Sequence, residues 1–297
     1  VSESASVLEL RLKLSGKLGG RPNFRRVDAS TVAVWLPGSK FEGDQSRKLP
    51  VKSLERWDVE QAANGAIYNL KLVQPMGVEL SSSAREVQIR LIKPEGGNGR
   101  LAGKTIVVDA GHGGEDVGAR SPDKKTREKD LTLEIATKLS ARMAAQGATV
   151  IMTRKTDVFV PLKERSEIAN RAGADLFVAV HINSSGSPNK TSGGITFYHK
   201  QSPIGQLLAE CVQTEIGRVS NIPSIGTWSD TRIYSSGFAV LRYASMPAIL
   251  IEMGFINHAT DRSVMQKSDW QDSVAKAIVK GVRTYFGDVK TEENASK

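Results

Sequence analysis

The sequence predicts an α/β domain, a mixed sheet flanked by helices, preceded by a small all-β domain. Three observations carry that prediction. Several strand-like segments recur through residues 1–98, the first with clean period-two alternation, and there is no convincing helical stripe of normal length. Lys93-Pro-Glu-Gly-Gly-Asn-Gly-Arg100 is then a Pro- and Gly-rich linker of the kind at which domains divide. Beyond it, short apolar runs alternate with apolar residues spaced four apart, the pattern of buried strands between helices. The expected domains are therefore 1–98 and 101–288, with a polar tail over 289–297.

In the first segment Leu8, Leu10, Leu12 and Leu14 alternate with Glu9, Arg11 and Lys13, which buries one face of a strand. Thr31–Leu36 reads as a second strand, stopped by the turn signal Pro37-Gly38, and Ile67–Val73 and Val87–Ile92 repeat the pattern. After the linker, Thr105–Val108 reads as a strand buried on both faces. Leu131, Ile135, Leu139 and Met143 form one stripe of a helix ending near Gly147. Thr149–Met152 is the next strand, and Leu162, Ile168, Ala169 and Ala172 are the expected apolar face of the next helix. Leu176–Val180, Gly194–Tyr198 and Ala248–Ile251 read as further strands, with Ser220–Ser236 as a loop. A closing helix carries Trp270, Val274, Ala277, Ile278, Val282 and Tyr285.

Composition restricts the function. At 297 residues, 39% hydrophobic and 25% charged, the chain can bury a sizeable core without staples. The single cysteine, Cys211, excludes an intramolecular disulfide; it falls in a helical pattern with Leu207, Leu208 and Ile216 and is expected to be packed. No run of about 18 apolar residues predicts a transmembrane segment. The start Val1-Ser2-Glu3-Ser4 lacks the basic and apolar stretches of a signal peptide and fits a processed or trimmed product. The net charge of +9 is spread along the whole chain. It favours polyanionic partners in general or simple solubility, and with no recognition motif beside it nucleic acid is not an expected partner.

Four polar positions sit where apolar runs end. His112 follows the strand at Val108 inside a glycine-rich turn whose spacing matches neither common phosphate-binding loop. Glu128 shares the inward stripe of Leu131 and Ile135 at the start of a helix, where a carboxylate is either a capping group or a ligand. His181 ends the run from Leu176, as a hydrogen-bonded core histidine or a ligand. Together the three make the His₂Glu set of catalytic zinc, which leaves a position for water. Asp109 is a candidate to brace His112. Glu252 ends the strand from Pro247 and is the candidate acid/base, the alternative being a buried Glu paired with Arg242 or Arg154. His199 is expected at the surface and His258 in a loop without a ligand role.

These segments resemble the Amidase_3 family of N-acetylmuramoyl-L-alanine amidases. The matching motifs are DAGHGGEDVGA from Asp109, REKDLTLEIA from Arg127, MTRKTD from Met152, LKERSEIAN from Leu162, VAVHINS from Val178, FAVLR from Phe238 and PAILIEMGFINH from Pro247. They cover residues 101–285 in order. The resemblance implies zinc held by His112, Glu128 and His181, with Glu252 as the catalytic acid/base, in a peptidoglycan hydrolase. The bond cut would join N-acetylmuramic acid to the L-alanine of the stem peptide. Asn183 and Arg242 are candidate substrate-binding residues. A wall-binding protein that keeps the fold without activity, and a zinc peptidase acting within the stem peptide, are the alternatives.

Some members of that family carry a helix that plugs the zinc site until an activator removes it. Here the segment between Gly194 and Pro247 is accounted for by a strand, a helix and a loop, so activity without an activator is expected. The first domain is similar in pattern and position to AMIN domains, which implies targeting to the wall or septum and a periplasmic or otherwise extracytoplasmic place of action.

Overall fold

The computed structural model describes residues 1–41, 46–186 and 190–289. They form two compact units, one of residues 1–99 with the chain from Thr284 onward, the other of residues 100–283. The tail expected over 289–297 lies, from residue 290, outside the described residues.

The first unit contains β1 (Ser2–Glu3), β2 (Val7–Lys13), β3 (Asn23–Arg26), β4 (Thr31–Pro37), β5 (Ser46–Arg47), β6 (Leu54–Ala62), β7 (Gly65–Leu72), β8 (Gly77–Ser82) and β9 (Glu86–Ile92). They pair antiparallel in two sheets, ordered β1-β2-β9-β8 and β3-β4-β7-β6-β5. Side chains alternate between faces of a strand, so Leu8 and Leu10 of β2 and Ile89 and Leu91 of β9 share one face. Val34 and Leu70 from the other sheet join them in one buried core. Strand β6 lacks clean alternation in the sequence (Leu-Glu-Arg-Trp-Asp-Val) and is held by its ladder with β7, from Leu54↔Leu72 to Ala62↔Gly65.

The second unit runs β10 (Thr105–Ala110), α1 (Glu128–Ala145), β11 (Thr149–Met152), α2 (Leu162–Arg171), β12 (Leu176–Asn183), β13 (Gly194–Tyr198), α3 (Pro203–Val219), β14 (Ser224–Ser229), α4 (Ala239–Arg242), β15 (Ala248–Phe255), α5 (Ala259–Met265) and α6 (Ser268–Tyr285). Its six-stranded sheet has the order β11-β10-β12-β15-β13-β14. The first four strands are mutually parallel, β13 is antiparallel to β15, and β14 is parallel to β13. The mixed sheet flanked by helices is therefore present. Leu131, Ile135, Leu139 and Met143 of α1 are all buried, and α1 packs on β10, β11 and β12. Helix α3 starts where Ser202 Oγ accepts the Gly205 N–H at 2.9 Å and Pro203 presets the first turn.

Two expectations are corrected here. The buried face of α2 is Arg165, Ser166 and Ala169, whereas Leu162 is exposed, because α2 packs its polar side chains onto carbonyls of the sheet and of α4. The stretch Ser220–Ser236 is not a plain loop. It contains β14 and a 3₁₀ turn at Asp230–Arg232, and the pairing that makes β14 a strand comes only from β13, residues distant in sequence.

Candidate metal centre

The parallel strands β10, β12 and β15 all end at one edge of the sheet, the place where open α/β sheets bind ligands. The chain leaves β10 at Ala110, and the Gly111 N–H still pairs with the Val180 carbonyl of β12 at 3.0 Å. His112 then turns out of the sheet with φ +61°, in the left-handed region that non-glycine residues seldom adopt. The hairpin that follows returns to α1, whose first two amides donate to the carbonyls of Ala119 (2.9 Å) and Val117 (3.3 Å). That return places Glu128, first residue of the helix, beneath the two histidines.

The three ligand candidates converge. His112 Nε2 and His181 Nδ1 each stand 3.1 Å from Glu128 Oε1, and the two imidazoles lie edge to face with centroids 4.9 Å apart. All three donor atoms fall within 4.8 Å of one another. Glu128 is held from behind as well, Oε1 accepting the Ile182 N–H at 2.9 Å and Oε2 the Ala119 N–H at 2.8 Å. Two imidazole nitrogens and a carboxylate oxygen at this spacing are the donors that tetrahedral zinc takes. Burial would raise the Glu128 carboxyl, but the facing imidazoles of His112 and His181 outweigh it and hold the group well below its ordinary range. For His112 burial works downward, and Glu128 and then Asp116 overcome it, so its pKa is raised.

Glu252 lies directly opposite His181 in the register of β12 and β15. Its Oε2 is sealed from solvent with no hydrogen-bond partner among the described residues. Burial, and next the negative charge of Glu128, push its carboxyl well above the ordinary glutamate value. The alternative of an arginine partner does not hold. Arg154 donates to the carbonyls of Ala110, Gly111 and Lys129, and Arg242 to the carbonyl of Ser236.

The brace on His112 also differs from expectation. Asp116, not Asp109, stands 2.8 Å from His112 Nδ1, four residues on across the turn closed by Gly113 and Asp116. Asp109 is fully buried and faces the other way, accepting from Thr153 Oγ1 at 2.5 Å and Arg165 Nη1 at 2.8 Å. The acidic residue inside GGEDVGA was the available signal for Asp116. Sequence reading also missed two cations that tie the loop down, Arg165 and Lys129, whose Nζ donates to the Gly114 carbonyl (2.8 Å) and Asp157 (2.6 Å), and it gave Arg154 a different partner. Arg165 stands four residues before Ala169, on the buried stripe of α2, and that spacing was the only hint.

Two glycines are set by the centre itself. A Cβ at Gly111 would stand 2.6 Å from His181 Nε2, and one at Gly118 would stand 2.6 Å from both Glu128 Oε2 and His112 Cδ2. Of the remaining candidates, Asn183 closes β12 beyond a bulge after His181, its Oδ1 accepting the Ser184 N–H at 2.8 Å. Arg242 is exposed and lies 5.0 Å above the Tyr243 ring. His199 is half-buried, and His258 caps α5 through Asp261, outside the cluster. Cys211 is buried on α3.

The sequence model of the Amidase_3 family, described as N-acetylmuramoyl-L-alanine amidase, matches residues 106–284. The chain belongs to the Amidase_3 family. Among its relatives, N-acetylmuramoyl-L-alanine amidase LytC of Bacillus subtilis (strain 168) is 34% identical over 190 residues, 63% of this chain and 36% of LytC. The probable cell wall amidase LytH of Staphylococcus saprophyticus is 34% identical over 189 residues, 63% of this chain and 60% of LytH. The chain thus spans less than two thirds of either relative. The crystal structure of N-acetylmuramoyl-L-alanine amidase from Clostridium difficile 630 superposes with a TM-score of 0.58 at 34% identity, covering 62% of this chain and 97% of that one. The Amidase_3 segment contains His112, Glu128, His181 and Glu252, and residues 1–99 lie outside it.

Proposed function

We propose that this protein is a zinc-dependent N-acetylmuramoyl-L-alanine amidase, hydrolysing the amide between the lactyl group of N-acetylmuramic acid and the L-alanine of the stem peptide. The observation that carries the proposal is the His112–Glu128–His181 cluster with unpartnered Glu252 on the adjacent strand, in a chain of the Amidase_3 family. His112 Nε2, a Glu128 oxygen and His181 Nδ1 would hold the zinc, which supplies Lewis-acid activation of water and of the scissile carbonyl.

The remaining work falls to side chains of the protein. Asp116 accepts from His112 Nδ1, which leaves the Nε2 lone pair directed at the centre. Glu252 takes the proton of the attacking water at its carboxylate and returns it to the departing alanine nitrogen. A carboxyl raised above its ordinary range suits a group that must accept and donate in one cycle near neutral pH. The glycines at 111 and 118 leave room for the His181, His112 and Glu128 side chains themselves, which a Cβ at either position would meet.

The first unit, two antiparallel sheets around one core, is read as an AMIN-like wall-targeting domain (1–98) ahead of a catalytic domain (101–288). The place of action is then periplasmic or otherwise extracytoplasmic, in wall remodelling or daughter-cell separation. Independence from an activator is also proposed. Helix α3 packs along β13, β14 and β15, and α4 against α2 and β15, so both helices between β13 and β15 are engaged with the sheet side of the fold.

Digestion of purified peptidoglycan, with and without chelator and analysed by mass spectrometry, tests the proposal. Release of intact stem peptides by zinc-loaded protein alone is the expected result. Cleavage within the peptide would move the substrate bond. Sacculus binding without cleavage would overturn the amidase reading, unless an added activator domain restored release, in which case only activator independence falls.

A further inference from the structure

His112 must keep an unusual backbone conformation to present its ring, and its neighbours do not enforce it. Gly111 precedes it and Gly113 follows, the two residues least able to restrain a chain. The restraint comes from α2. Arg165 is 1% exposed, the bulkiest of the fully buried side chains among the described residues. Its Nη2 donates to the His112 carbonyl at 2.8 Å, and Nη1 to both the Ala110 carbonyl and Asp109 Oδ1 at 2.8 Å. Its Nε donates to the Val160 carbonyl at 2.9 Å. Three of these four bonds close on one four-residue segment. No other donor reaches the His112 carbonyl among the described residues.

An ion pair with Asp109 alone would be a weak reason to bury a guanidinium, since apolar side chains often replace such pairs without loss. The planar fork is used here for something a pair does not need, spanning the Asp109 carboxylate and the carbonyls of Ala110 and His112. Arg154, the other buried guanidinium on this loop, reaches Ala110, Gly111 and Lys129 and stops one residue short.

We infer that Arg165 is a positioning residue of the metal centre: by closing on the His112 carbonyl it locks the left-handed backbone there and aims Nε2 at Glu128 Oε1, 3.1 Å away. The inference rests on the zinc reading above.

The test compares wild type, Arg165→Lys and Asp109→Asn in the full chain. Each is measured for zinc affinity by competition with a chromophoric chelator, for the visible spectrum of the Co²⁺-loaded form, and for the unfolding midpoint of the apoprotein. Lysine keeps a positive charge beside Asp109 but cannot span the carbonyls. Its zinc affinity is expected to fall about 10–100-fold, with an altered cobalt spectrum. Asp109→Asn leaves the carbonyl bonds in place and is expected to lower the midpoint while keeping wild-type zinc affinity.

Wild-type affinity and spectrum in Arg165→Lys would overturn the inference, as would a loss in Asp109→Asn equal to that in Arg165→Lys. Should Arg165→Lys fail to fold, the Asp109→Asn arm still decides, since zinc affinity lost there places the role in the ion pair. Wild-type protein that binds no zinc would remove the zinc reading and this inference together. Zinc-binding wild type with an unaffected Arg165→Lys removes the inference alone.

Discussion

His181 and Glu252 face each other across adjacent parallel strands, one turned to the Glu128 carboxylate and the other holding an oxygen sealed from water without a partner. A carboxylate oxygen buried without a partner is costly to keep. On the proposed reading, the pairing sets the acid/base group beside a zinc ligand while leaving it without a hydrogen-bond partner at Oε2 among the described residues.

Glu252→Gln should therefore separate chemistry from metal binding. The amide matches the carboxyl in shape and cannot shuttle the proton. Turnover of peptidoglycan is expected to fall about 10²–10⁴-fold, with zinc content unchanged. Mass-spectrometric product analysis alongside metal analysis checks both halves, and a variant retaining wild-type turnover would assign the proton transfer elsewhere.

Asp116→Asn acts on His112 through Nδ1. Zinc affinity should drop about 10–100-fold because the imidazole loses the carboxylate that fixes its tautomer and orientation. Chelator competition reads the change directly. Unchanged affinity would mean that the loop carbonyls alone orient the ring.

Gly118→Ala and Gly103→Ala separate backbone cost from damage to the centre. Both glycines have positive φ, +63° and +78°, so each alanine should destabilise by about 1–3 kcal/mol. A Cβ at Gly103 meets nothing within 4 Å, whereas at Gly118 it meets Glu128 and His112. Only Gly118→Ala is expected to lose zinc binding. Equal zinc binding by the two variants would contradict the geometry described.

Glu3 gives the first unit a defined acid sensitivity. The Ser53 hydroxyl, the Lys52 N–H and the Lys93 ammonium stabilise its carboxylate and hold its pKa at about 2, against 4.5 ordinarily. A depressed folded-state pKa contributes stability that is complete above about pH 4.5 and is lost as the pH falls towards 2. Glu3→Gln should unfold more readily at pH 6 and lose less stability than wild type between pH 4.5 and 2. Calorimetric midpoints across that range measure the difference, and parallel curves for the two proteins would rule out Glu3 as the titrating group.

Much of the fold was legible locally. The leucine alternation of β2, the four-residue stripe of α1 and the apolar runs of β10, β12 and β15 are patterns of burial written into neighbouring residues. The four candidate site residues were legible for a related reason, His112, His181 and Glu252 following apolar runs and Glu128 opening the inward stripe of α1. Strand β14 was not legible, because its pairing with β13 is supplied across the chain. Nor was the inner face of α2, because Arg165 reads as a solvent-seeking residue until three acceptors on the β10 loop surround it.

The sequence by itself determined the α/β class and singled out His112, Glu128, His181 and Glu252 as candidates, since periodicity and residue chemistry are properties of short stretches. Only the tertiary structure decided that Asp116 braces His112 while Asp109 binds Arg165, and that Gly111 and Gly118 must lack side chains. Those facts depend on which way a side chain points across a turn and on distances between residues far apart in the chain, as with Arg165 and His112, 53 residues apart. Such distances are set by the packing of the whole sheet and its helices, not by any segment of it.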